Sequence, residues 1–172
     1  GWLADRSNRT RIIAGACLLW SLFTAACGMA GSTWQLAIAR IGVGVGEAGG
    51  TPPALSIISD YFPKERRAFA VSIYTVGAPI GVFLGTALGG WVAAAFGWRM
   101  AFIVVAAFGV VVAPLLLLVV REPVRGRFEA KAVGAVAEVP APLSEAVLRF
   151  YRYPSLGLLA LASGLSSFVG YG

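Results

Sequence analysis

Residues 34–59 read WQLAIARIGVGVGEAGGTPPALSIIS, an apolar run with two ionisable side chains inside it, Arg40 and Glu47. As an α-helix this run rises roughly 39 Å at about 1.5 Å per residue, more than the ~30 Å of bilayer hydrocarbon. A transmembrane β-strand takes about ten residues, so the run is far too long to be one. Outward from it lie four more apolar stretches, Ile12–Ala30, Ala68–Phe96, Met100–Val120 and Ser155–Gly172, none of which holds a charged residue. The pattern predicts an all-α membrane protein with five spans and no strands.

Composition agrees. Of 172 residues, 58% are apolar and 13% charged, where soluble domains carry about 25% charged residues, and the mean hydropathy is +0.80. There is no His and there are only two Cys, which excludes His-ligated metals, His-based triads and Cys-rich zinc sites. On one helix Cys17 and Cys27 would be about 15 Å apart, beyond disulfide reach. Neither a cofactor nor enzymatic chemistry is expected. The chain starts at Gly1 and ends inside an apolar run, and it reads as a piece of a longer protein.

Basic residues set the orientation. Arg6, Arg9 and Arg11 precede the first span, Lys64, Arg66 and Arg67 follow the second, and six more lie between the fourth and fifth, together 12 of the 14. By the positive-inside rule residues 1–11, 60–67 and 121–154 are cytoplasmic and the short turns at 31–33 and 96–99 external, in a cell (inner) membrane. The formal charge of +6 then reflects topology and anionic lipid headgroups, and charges divided among loops do not form a nucleic-acid footprint. The stretch after Arg121 reads as a linker over 121–154 with a short amphipathic helix from Ser144. It separates a first bundle, residues 1–120, from the start of a second, residues 155–172.

Glu47 lies near the middle of its span, where a charged group costs at least ~2.5 kcal/mol, so it is expected to face a cavity and to take up and release a proton. Arg40, seven residues earlier, falls within about 20° of it on the helix face but some 10.5 Å along the axis. A substrate, a water or another residue would fit between them. Arg40 could instead snorkel outward, with Glu47 a bundle contact. Gly46, Gly49, Pro52 and Pro53 predict a kink beside the acid, because the prolines lack the N–H that would bind the carbonyls one turn back. Gly44, Gly46 and Gly49 fit a dinucleotide fingerprint in spacing only, since no strand precedes them. Gly77, Gly81, Gly85 and Gly89 form a ridge for close helix packing, and Tyr74 could reach a cavity or pack.

Several separated motifs together resemble the major facilitator superfamily. Gly1-Trp2-Leu3-Ala4-Asp5-Arg6-Ser7-Asn8-Arg9-Thr10-Arg11 is similar to its loop between helices 2 and 3, with Asn8 in place of a common Gly and Thr10 where a basic residue is usual. Arg40-x-x-x-Gly44-x-Gly46 is similar to its helix 4 motif, and Gly97-Trp98-Arg99-x-x-Phe102 to its helix 6 start. Arg40 through Ala48, Ser59-Asp60-Tyr61-Phe62-Pro63 with Arg66-Arg67, and Arg121-Glu122-Pro123-x-Arg125-Gly126 look most like the Spinster-like branch. Ala78-Pro79 departs from the Gly-Pro of drug/proton antiporters.

The resemblance implies helices 3 to 7 of twelve, rocking of two bundles, a cytoplasmic latch of Gly1, Asp5, Arg6 and Arg9, and proton coupling and substrate binding at Glu47 and Arg40. The expected protein is a monomeric secondary transporter in the lipid bilayer, moving protons and a small amphiphilic, lipid-like or organic solute. The alternatives are an organic-anion:cation symporter of the same superfamily and, from another class, a passive channel or membrane scaffold.

Overall fold

The computed structural model describes residues 7–128 and a few positions between 152 and 165. The chain falls into two units, chiefly Leu3–Lys131 and Ala132–Gly172. Described positions of the second, such as Pro154, Ser155 and Gly157–Leu159, are helical. Gly1, Asp5 and Arg6, the amphipathic stretch from Ser144 and most of the last span lie outside the described residues.

Among its described residues the first unit holds five helices: α1 Arg9–Met29, α2 Thr33–Ala48, α3 Thr51–Tyr61, α4 Lys64–Phe96 and α5 Trp98–Val119. Three of them, α1, α4 and α5, are long and apolar enough to cross a bilayer unbroken. The starts have local causes. Asn8 caps α1 by accepting a hydrogen bond from the Arg11 N–H at 2.9 Å, and Ser32 caps α2 through Gln35 N, the usual use of short polar side chains at helix starts. Asn8, the departure from the family pattern, is therefore a helix cap. Gly97, at φ +88°, makes the turn between α4 and α5, a conformation that L side chains rarely adopt.

Two expectations are corrected. The run over 34–59 is two helices instead of one kinked span, because Gly49 and Gly50 close 3₁₀-type bonds to the carbonyls of Gly46 and Glu47 and the prolines then open α3. Pro tolerates a first turn, where its missing N–H has no intrahelical partner to lose. Arg9 and Arg11, expected in the loop, belong to α1, which starts three residues before the apolar run because Asn8 caps it there.

α1 is the centre of the unit, packed against α5 and against α2. Glycines allow the close approaches. A Cβ at Gly46 would lie 2.8 Å from the Trp20 backbone nitrogen, and one at Gly28 2.7 Å from the Arg99 carbonyl oxygen. Cys27 and Ser21 are fully buried on α1. On α4, by contrast, the positions of Gly77, Gly81, Gly85 and Gly89 have open space where a Cβ would be, and Tyr74 is 40% exposed.

Candidate functional site

Hydrogen bonds bring the first residues of α1, the end of α3 and the segment after α5 together at one end of the bundle, the end rich in basic residues. Arg9 sits there at 3% side-chain exposure. Its Nη1 donates to Asp60 Oδ2 at 2.5 Å and to Ser56 Oγ at 2.8 Å, its Nε to Glu122 Oε1 at 2.7 Å, and its Nη2 to the Pro123 carbonyl at 3.3 Å. One guanidinium thus ties α3 and the post-α5 segment to α1. A planar fork of donors can do this, and a point-charge ammonium cannot.

The carboxylates are served from other directions too. Glu122 Oε2 accepts from the Thr10 N–H at 3.0 Å and from its hydroxyl at 3.2 Å, and Asp60 Oδ1 accepts from the Gly126 N–H at 2.9 Å. Gly126 has φ +67°, in the left-handed region open to Gly, and there its N–H meets Asp60. Tyr61 donates to the Arg121 carbonyl at 2.6 Å, and Arg125 to that of Ser7 at 2.6 Å. Burial pushes the Glu122 carboxyl up, but the hydrogen bonds from Arg9 and Thr10 and the Arg9 charge outweigh it and hold the group below its ordinary range. Thr10, where the family has a basic residue, is therefore a second ligand of Glu122.

Of the four latch residues read from the sequence, Arg9 is at the centre of this cluster, and the other three lie outside the described residues. Asp60, Glu122, Thr10 and Ser56 were not singled out as site residues. A signal existed: Asp60 and Glu122 are acids flanking apolar spans at the same end as Arg9, where a buried cation needs partners.

The second constellation is on α2, inside the apolar run over 34–59. Arg40 and Glu47 are both exposed on α2, and among the described residues no ion pair joins them and neither has a hydrogen-bond acceptor or donor from another side chain. Gly46 is buried against α1, while Gly49 and Gly50 form the break two to three residues beyond Glu47. The Arg40 guanidinium carbon lies over the Phe102 ring, 5.4 Å from its centroid. Phe102 meets Trp98 edge to face at 6.1 Å, and Arg99 stacks on Trp98 at 4.3 Å while donating to the Ala30 carbonyl at 3.2 Å. A cavity of about 250 Å³ opens there among Ser32, Thr33, Leu36 and Trp98. Among the described residues no His, Cys, Asp and Glu gather in a group of three that could hold a metal.

The family model described as Major Facilitator Superfamily matches residues 1–172. An "MFS-type efflux pump" of Mycolicibacterium smegmatis is 39% identical over 118 residues, 69% of this chain and 28% of that protein. "Protein spinster homolog 1" of Homo sapiens is 39% identical over 132 residues, 75% of this chain and 25% of that one. The "Galacturonate transporter" of Dickeya chrysanthemi is 38% identical over 106 residues, 62% and 31%. The chain thus spans between a quarter and a third of these relatives' length. Among solved structures, a bacterial homolog to the human lysosomal transporter Spinster, inward-facing and unoccupied, superposes with a TM-score of 0.67 at 37% identity over 98% of this chain and 40% of that one. Its inward-facing, occupied form gives 0.66 at 39% identity over 75% and 33%.

Proposed function

We propose, since this chain belongs to the major facilitator superfamily and to its Spinster-like branch, that the protein it is part of is a proton-coupled secondary transporter working by alternating access. Membership makes it a multi-pass membrane transport protein. The finer reading is ours: Glu47 carries the proton, and Arg40 binds the anionic group of a small amphiphilic, lipid-like or organic solute. The observation that carries this is Arg40 itself, a cation inside the apolar run over 34–59 with no acidic partner among the described residues, on the same face as Glu47, which lies beside the break at Gly49 and Gly50. Intramembrane charges on broken helices mark transport pathways.

The galacturonate and hexuronate transporters among the relatives fit the same arrangement, with a substrate carboxylate on Arg40. In this reading the Arg9–Asp60–Glu122 cluster latches the cytoplasmic end when that end is assembled, Asp5 and Arg6 extend the latch, the Gly77 to Gly89 ridge packs a further helix, and the protein acts as a monomer in the inner membrane. No covalent step and no cofactor enter. The test is proton uptake by proteoliposomes of the full-length protein, with galacturonate and dodecyl phosphate as probes. Glu47→Gln is expected to abolish substrate-driven proton flux and to flatten the pH dependence of uptake. An unchanged pH profile in that variant rejects the coupling role, and flux that never saturates points to a channel.

A further inference from the structure

Three arginines in the bundle are held in three ways, and the difference bears on what each can do. Arg9 gives its N–H donors to two carboxylates, a hydroxyl and a carbonyl. Arg99 gives one nitrogen to the Ala30 carbonyl and lies on the Trp98 ring. Arg40 lies over the Phe102 ring and donates to no acceptor among the described residues. A carboxylate partner uses up donors and cancels charge, whereas a ring face attracts the cation through its quadrupole and uses no donor. A ring is therefore the partner that fixes a guanidinium while leaving it able to bind an anion bidentately.

We propose that Phe102 is a positioning residue for Arg40, holding the guanidinium that reaches from α2 over the α5 ring with its donors free for the anionic group of the substrate. This rests on the reading of Arg40 as the anion-binding residue. Phe102 is itself well seated. It is four residues after Trp98 on α5, so the two rings meet edge to face at 90°, an arrangement favoured by ring quadrupoles. On its other side the absence of a side chain at Gly28 lets α1 come close, and a Cβ there would lie 3.2 Å from Phe102 Cβ. A ring braced by a neighbour and by a helix–helix contact sets where the guanidinium waits. Without it a long side chain would sample several rotamers before binding, and affinity would fall while turnover after binding would not.

The test replaces Phe102 in the full-length protein with phenylalanines carrying one, two and three ring fluorines. These weaken the face potential stepwise at nearly constant shape. Galacturonate- and dodecyl phosphate-driven proton uptake in proteoliposomes is the readout, with Arg40→Ala as the reference. The expected result is a KM that rises with each fluorine, about two- to tenfold across the series, with kcat steady, Phe102→Trp near the parent and Phe102→Leu near the trifluoro form. A flat KM across the fluorine series, with Arg40→Ala still raising KM, overturns the role of Phe102 alone. An Arg40→Ala variant indistinguishable from the parent, or flux driven by neither anion, overturns the reading of Arg40 and the inference with it.

Discussion

Replacing Arg9 by Ala should destabilise the bundle more than any exposed ion pair could. Asp60 has 7% side-chain exposure and Glu122 25%, and the substitution takes from each the charge-assisted contact with Arg9 that offsets its burial. Removing one partner of a buried pair costs about 3–5 kcal/mol, against ~0–1 for an exposed pair. The stranded acids retain the Gly126 N–H and the Thr10 donors, which places the expected loss near the lower figure, about 3 kcal/mol or roughly 100-fold in the unfolding equilibrium. The two buried thiols report it: Cys27 is 0% and Cys17 4% exposed, so each is labelled by a thiol reagent through opening of the structure. Labelling rates for the full-length protein in detergent, mapped by mass spectrometry, should rise about 100-fold in Arg9→Ala. Arg9→Lys should recover less than half of the loss, and Asp60→Asn on the Arg9→Ala background should recover part of it by removing a stranded charge. A rise below about tenfold, or no recovery from Asp60→Asn, would refute the argument that burial makes this cluster strong.

Gly46→Ala, which raises helix propensity, should nevertheless cost about 1–3 kcal/mol, because the new Cβ meets Trp20 backbone that cannot swing aside. A neutral or stabilising result in thermal unfolding would mean α1 and α2 are not this close. The Glu122 carboxyl lies below its ordinary value of 4.5 when folded, so its contribution to stability is fully present above that value and is lost as pH falls through the lowered one. Glu122→Gln should therefore show a flatter acid limb in stability against pH, below about 4.5, than the parent. Parallel acid limbs would count against the assignment.

The spans were legible because apolar length is a property of contiguous residues: Ala68–Phe96 and Met100–Val120 differ from α4 and α5 only by a few residues at their ends. The ends were harder, since caps such as Asn8 lie among polar residues that also suit a loop. The kink at Gly49 and Gly50 was legible from Pro52 and Pro53, but whether it bends or splits a helix depends on which carbonyls are satisfied elsewhere, and that is tertiary information. The glycines show the same limit. The ridge on α4 is regular in spacing, yet within the described residues the close approaches fall at Gly28, Gly42, Gly46 and Gly109. The Arg9 cluster was half visible, because Arg9 belongs to a local motif while Asp60 and Glu122 are 51 and 113 residues away from it in sequence.

The break between α2 and α3 separates the two constellations. Arg40 and Glu47 precede Gly49 on α2, and Ser56 and Asp60, which bind Arg9, follow Gly50 on α3. α2 comes close to α1 at Gly42 and Gly46, against Phe23 and Trp20, and α3, which also buries Pro53 and Ile57, is bonded to α1 through the Arg9 guanidinium. Tight apolar packing has a single arrangement, and the buried ion-pair cluster depends on one side chain, whose loss leaves two acids without their cation. The half of the broken helix that carries Arg40 and Glu47 is thus set by backbone approach to α1, and the half that carries Asp60 by a charge bond to its first residue, with Gly49 and Gly50 between them.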